Sequence, residues 1–150
     1  MRAVVQRVKN ASVTVDGNIT GEIGHGLLIL FGAEEGDGQE DMDYVVKKCV
    51  DLRIFCDEQD KMNLSVKDID GEILAVSQFT LLAEIKKGNR PGFTRAMKPE
   101  EAEKMYEEFC KRCTEATGKE TKKGIFGADM KLELLNDGPV TIIVDSRNKI

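Results

Sequence analysis

Seven residues, Gly26-Leu27-Leu28-Ile29-Leu30-Phe31-Gly32, form an unbroken apolar run between two glycines. The run has no polar alternation, so it predicts a strand buried on both faces. Such a strand needs packed structure on either side of it. A chain of 150 residues can supply that within one compact domain. No repeat, linker or low-complexity segment divides the chain, so residues 1–150 are expected to form a single domain. No apolar stretch approaches the ~18 residues of a membrane-spanning helix. The opening Met1–Val8 alternates like a strand rather than like a signal peptide, which predicts a cytoplasmic protein with no membrane partner.

Either side of the buried run, the pattern gives strands over 2–8 and 11–16, a turn at Asp16-Gly17-Asn18 and a return strand over Ile19–Ile23. Asp37 is placed to cap a helix, with Glu40 completing a capping box. Met42, Val45, Val46, Cys49 and Val50 then follow at helical spacing. A short strand at Arg53–Cys56, a strand over 72–80 and a long loop over 83–98 come next. Pro99 suits a first helical position, Glu100 and Glu101 suit the positive end, and Gly118 suits the stop. The tail gives two alternating runs, Met130/Leu132/Leu134 and Val140/Ile142/Val144, with a turn at Asn136–Gly138 between them. Seven or eight strands and two main helices predict an α+β (α/β) fold. Its curved sheets form a barrel-like core and its helices pack outside.

The net charge of −5 argues against a protein that coats nucleic acid by bulk charge. Lys86, Lys87, Arg90, Arg95 and Lys98 nevertheless fall in one short stretch, and Lys119, Lys122 and Lys123 in another. By composition alone both are solvated loops. Cys110-x-x-Cys113 lies inside a strong helix with no second ligand pair, so all four cysteines read as buried apolar residues of a reducing compartment. The one histidine, His25, sits in a glycine-flanked turn and reads as a surface residue rather than a catalytic base. No metal and no cofactor are expected.

The stretch Ile73–Leu81 runs an apolar strand into Ser77, Gln78, Phe79 and Thr80. Either hydroxyl could attack a substrate, but each needs a base, and Lys86 or Lys87 is the nearest in sequence. Alternatively, backbone N–H groups of Gln78, Phe79 and Thr80, left without sheet partners, could hold a developing oxyanion at ~3 kcal/mol per donor. From the residues alone, a plain strand end whose Ser and Thr satisfy local backbone groups is the simpler reading. Gly138-Pro139 is either a turn or a rigid backbone wall able to exclude one hydrogen-to-side-chain swap by steric clash.

Ser77-Gln78-Phe79-Thr80-Leu81 with Asn136-Asp137-Gly138-Pro139-Val140-Thr141 resembles the D-aminoacyl-tRNA deacylase family. Gln6-Arg7-Val8, Arg53-Ile54-Phe55, Lys61–Leu64, Arg90–Phe93 and Phe126–Met130 fit in order, so the resemblance spans nearly the whole chain. It implies a homodimer that hydrolyses the ester joining a D-amino acid, or glycine on alanine tRNA, to the 3′-terminal adenosine. The tRNA 2′-hydroxyl would assist. Ser77, Gln78, Phe79 and Thr80 would line the catalytic pocket. Gly138 and Pro139, as a Gly-cisPro element entering the partner's pocket, would reject L-amino acids, with Asn136, Met130 and Phe93 beside the substrate. Lys86, Lys87, Arg90 and Arg95 would bind tRNA. Gly92 departs from the serine common in the family. Two other functions fit the residues: a Ser77 or Thr80 nucleophile hydrolase of small D-amino acid esters, and a non-catalytic tRNA-binding module.

Overall fold

The apolar run becomes a strand with both faces covered. The computed structural model describes residues 1–150. In chain order its elements are β1 (Arg2–Val15), β2 (Asn18–Ile23), β3 (Gly26–Gly32), α1 (Gln39–Asp51), β4 (Phe55–Cys56), β5 (Met62–Leu64), β6 (Glu72–Ser77), a 3₁₀ turn (Phe79–Leu82), α2 (Pro99–Thr117), β7 (Lys122–Lys123) and β8 (Lys131–Asp145). Six strands form one sheet in the order β2-β1-β3-β6-β7, with β8 along the other side of β1. The β3–β6 and β6–β7 pairs are parallel and the pairs made by β1 are antiparallel, so the sheet is mixed.

Alternate residues of β3 serve two cores. Leu28 joins Val8, Val13, Leu74 and Val76 inside the curl of the sheet. Leu27, Ile29 and Phe31 face α1 and α2 and pack with Met42, Val45, Tyr106 and Phe109. The Phe31 and Phe109 rings stack at 4.5 Å. Each such side chain, once fully buried, stabilises the fold by about 1.5–3 kcal/mol. The sheet nearly closes into a barrel where β2 returns against β7. The Thr20 hydroxyl donates to the Lys123 carbonyl at 3.3 Å. A Cβ on Gly21 would come within 2.7 Å of that same carbonyl oxygen, so only glycine lets the two backbones meet.

Several local expectations change. The strands predicted over 2–8 and 11–16 are one strand, β1, with a bulge between Val8 and Ala11. The predicted turn at Asn136–Gly138 is not a hairpin. β8 pairs with β1 through Ala11↔Leu134 on one side of it and Gln6↔Thr141 on the other, so the two strands bulge and bend together. Gly38, not Asp37, precedes α1, and the Asp41 carboxylate accepts its N–H at 2.9 Å. Asp37 instead pairs with the Met1 α-ammonium at 2.6 Å, both groups fully buried. The strand expected over 72–80 stops at Ser77. Cys49, Cys110 and Cys113 are buried as expected, and burial pushes the Cys49 and Cys110 thiols up to about 12. Cys56 is exposed on β4, because only Phe55 of that two-residue strand points inward. α2 follows its predicted limits, and Gly118 ends it in a left-handed conformation at φ 74°.

Candidate active site

A cleft of about 610 Å³ opens where β6 ends. Its floor is Phe31, Val76, Ala102 and Tyr106. One wall is the segment Phe93–Pro99 and the other is Phe126–Leu132. The lining is largely apolar. Tyr106 hydroxyl donates to the Ala75 carbonyl at 2.7 Å, which pins α2 to β6 two residues before Ser77. Burial raises the Tyr106 pKa far above its ordinary value, so this donor keeps its proton. On α2, Tyr106 is simply part of the apolar stripe, and nothing in the sequence marks it as a cleft residue.

The end of β6 supplies the polar edge. Gln78 N–H donates to the Phe31 carbonyl at 2.7 Å, so this amide is engaged and cannot meet a substrate. Phe79 and Thr80 open the 3₁₀ turn, and the turn's first backbone bond runs from Leu81 N–H to the Gln78 carbonyl. The amides of Phe79 and Thr80 therefore precede any bond the turn itself provides. Thr80 Oγ1 accepts from the Gln78 side-chain amide. No side-chain hydrogen bond is made by the Ser77 hydroxyl, and Thr80 Oγ1 meets only the Gln78 amide; Lys98 and Asp129 are the charged residues in the cleft lining. Phe79 is 56% exposed and meets Phe93 edge-on at 5.1 Å, so the two rings form the rim.

Of the predicted residues, the cleft brings together Ser77, Gln78, Phe79, Phe93 and Met130. Thr80 sits just outside it, exposed. Met130 folds over Gly124, where any Cβ would overlap its sulfur. His25 is at the far end of β3, edge-on to Phe55 at 5.2 Å. Its pKa is lowered, first by desolvation and then by Lys9. It is not near Ser77.

Asn136, Gly138 and Pro139 also lie away from this cleft. The Gly138-Pro139 peptide is cis, and both residues are exposed. They project beside the Gln6–Val8 step of β1, whereas Ser77 is level with Phe31 and Ala3. Three strand spacings and several residue steps separate the two points, roughly 15–20 Å. Arg7 buttresses the Gly138 bend. It donates to the Asp137 carbonyl at 3.0 Å and to the Ile54 carbonyl at 2.7 Å. Asn136 closes the bend by accepting Val140 N–H at 3.2 Å. In the sequence Arg7 stands in an alternating strand and in the Gln6-Arg7-Val8 segment of the family resemblance, but nothing there ties it to Gly138.

The predicted basic residues divide. Arg95 is committed to the buried Glu34 at 2.7 Å. Lys86, Lys87 and Arg90 are exposed and make no ion pair, and Lys98 lines the cleft. In the other cluster Lys119, Lys122 and Lys123 pair with Asp70, Glu120 and Glu107. No three His, Cys, Asp or Glu side chains converge as a metal-ligand set. No helix is long and apolar enough to cross a membrane.

Residues 4–145 match the family described as D-Tyr-tRNA(Tyr) deacylase. The chain is 59% identical over 149 residues to a D-aminoacyl-tRNA deacylase of Bacteroides thetaiotaomicron and 56% identical to that of Flavobacterium johnsoniae. Each match covers 99% of both chains. Among solved structures, one titled c-Myc DNA Unwinding Element Binding Protein superposes with a TM-score of 0.91 at 44% identity, covering 97% of this chain and 98% of that one. A probable eukaryotic D-amino acid tRNA deacylase superposes at 0.81 with 18% identity, covering 96% and 98%, a likeness of fold. The chain belongs to the D-Tyr-tRNA(Tyr) deacylase family. It is an enzyme, a hydrolase with D-aminoacyl-tRNA deacylase activity.

Proposed function

We propose that the cleft takes the aminoacylated 3′ end of tRNA and that the substrate itself supplies the base for hydrolysis. The observation that carries this is the missing partner. An apolar cleft with a polar edge made of backbone amides, and hydroxyls hydrogen-bonded to no histidine, lysine or carboxylate, suits a reaction in which water is activated by the 2′-hydroxyl of the terminal ribose. In this reading the N–H groups of Phe79 and Thr80 stabilise the oxyanion formed at the ester carbonyl, at ~3 kcal/mol per donor. Ser77, Gln78, Phe93 and Met130 shape the space around the amino acid.

Chiral selection belongs to Gly138 and Pro139 of a second copy. Their exposure and their distance from the cleft of their own chain support a homodimer in which each bend enters the partner's site, held in aim by Asn136. A rigid backbone there excludes the side chain of an L-amino acid. Glycine has no side chain to exclude, so glycyl-tRNA(Ala) is also a substrate. Lys86, Lys87 and Arg90 face the tRNA, and the enzyme works as one domain in the cytoplasm. Arg95 is left with a structural role because Glu34 holds it.

The test is hydrolysis of matched D- and L-tyrosyl-tRNA, each also prepared with a 2′-deoxyadenosine end. The expected result is rapid loss of the D-ester alone, abolished by the deoxy end. Equal turnover of the deoxy substrate would overturn the mechanism and return the chemistry to Ser77 or Thr80.

A further inference from the structure

Loop 83–98 is stapled at its base and bare at its tip. Glu84 and Gly92 exchange two backbone bonds of 2.8 and 3.0 Å. Thr94 hydroxyl donates to the Glu84 carboxylate at 2.9 Å. Below that, Arg95 is fixed to Glu34, and Met97 N–H donates to the Ala33 carbonyl at 3.0 Å. The loop thus becomes a finger whose root, Phe93 to Lys98, is a wall of the cleft. Glu84, the only carboxylate in the loop, is turned back to Thr94 and Gly92 at the root.

The distribution of free cations singles this finger out. Lys86, Lys87, Arg90 and Lys98 have no carboxylate within 4 Å; the other unpaired cations, Lys48, Arg53, Lys61, Lys104, Lys111 and Lys149, are spread over the two helices, the turns beside β4 and the C-terminal end, so only the finger gathers four in one short stretch. In a chain of net charge −5, four unneutralised cations in one short stretch beside the cleft form a local positive field on a negative molecule. An exposed cation with no acid partner is free to displace counterions from a phosphodiester backbone.

We propose that this finger grips the phosphodiester backbone of the tRNA acceptor arm just inside its 3′ end, through Lys86, Lys87 and Arg90, while Lys98 faces the terminal nucleotide at the cleft mouth. This rests on the reading that the cleft takes the aminoacylated 3′ end. The grip is to phosphates rather than base edges, so it is independent of tRNA sequence. It supplies affinity and orientation, and the cleft supplies the chemistry.

The experiment compares wild type with the triple variant Lys86→Gln, Lys87→Gln, Arg90→Gln. A control triple, Lys61→Gln, Lys104→Gln, Lys111→Gln, makes the same charge change at other exposed, unpaired lysines. Two substrates are used, D-tyrosyl-tRNA and the D-tyrosyl ester of adenosine alone, across roughly 50 to 200 mM salt. The finger variant is expected to lose about tenfold or more in kcat/KM on the tRNA at low salt. Its log–log salt slope should be shallower by about 2–3, at 0.7–0.9 per phosphate contact. It should match wild type on the adenosine ester. The control triple should keep the wild-type slope.

An unchanged slope in the finger variant, or an equal change in the control triple, overturns the proposal while leaving the deacylase reading intact. An equal loss on the adenosine ester overturns it too, because the finger would then be shaping the cleft. If wild type cleaves neither ester, the reading of the cleft fails and the finger's role fails with it.

Discussion

At the scale of single residues, the bend at Gly138 depends on having no side chain there. Its φ is 130°, a region that L side chains rarely adopt. A Cβ would stand 2.9 Å from both the Arg7 guanidinium and Val140 Cγ2. Gly138→Ala is therefore expected to destabilise the protein by about 1–3 kcal/mol. It should also raise cleavage of L-tyrosyl-tRNA relative to the D-ester, because Arg7 and the bend must shift. Thermal unfolding and paired D/L assays check both effects. A stable variant with unchanged selectivity would remove Gly138 from chiral selection. The backbone chemistry at Gln78 shows a limit of residue-level reading. Three consecutive amides were equally good oxyanion donors on sequence, and one is engaged by Phe31, a partner 47 positions away that only pairing reveals.

At the scale of elements, the end of β8 is braced by ions beside the apolar core that Met1 and Val144 join. Asp145, the last residue of β8, pairs with Arg2 at 2.8 Å and accepts N–H bonds from Arg147 and Asn148. Burial alone would raise its pKa, but these donors more than offset burial and hold it below the ordinary carboxylate value. Asp41 is lowered in the same way by Gly38 and Ser146. A carboxylate whose folded pKa is depressed contributes stability above its unfolded pKa and loses it as pH falls through the folded one. Asp145→Asn should thus cost about 2 kcal/mol at neutral pH. The gap to wild type should narrow below pH ~3.9. Urea midpoints between pH 7 and 2 read this directly, and a constant gap would show that the charge of Asp145 is not what matters. The two helices, by contrast, were legible in advance because spacing and caps are local. α1 erred by one position at its start because Asp37 was taken by the Met1 amine, a contact across the whole chain.

At the scale of the whole molecule, the proposed exchange of Gly138-Pro139 between copies makes a prediction that a monomer cannot satisfy. Mix a bend variant, Pro139→Ala, with a cleft-blocked variant, Ala96→Trp. Hybrid dimers then contain one open cleft facing one intact bend. D-selectivity should rise above that of Pro139→Ala alone, in proportion to the hybrid fraction. Sedimentation of each variant shows whether dimers form at all. Selectivity equal to the Pro139→Ala sample at every mixing ratio would mean that each bend serves its own chain.

Local physics sufficed for much of this protein. Apolar runs marked β3 and the body of β6, helical spacing marked both helices, proline and glycine marked the limits of α2, and the paired motifs marked the family. These depend on residues within a few positions of each other. Tertiary structure decided the rest: that β1 and β8 are each one bent strand, that Arg95 is a brace while Lys86, Lys87 and Arg90 are free, and that Gly138-Pro139 projects away from the cleft of its own chain. Each turns on a partner distant in sequence, such as Gln6 for Thr141, Glu34 for Arg95 or Arg7 for Asp137. A single residue's chemistry specifies what it can bond. Only the folded sheet specifies what is within reach.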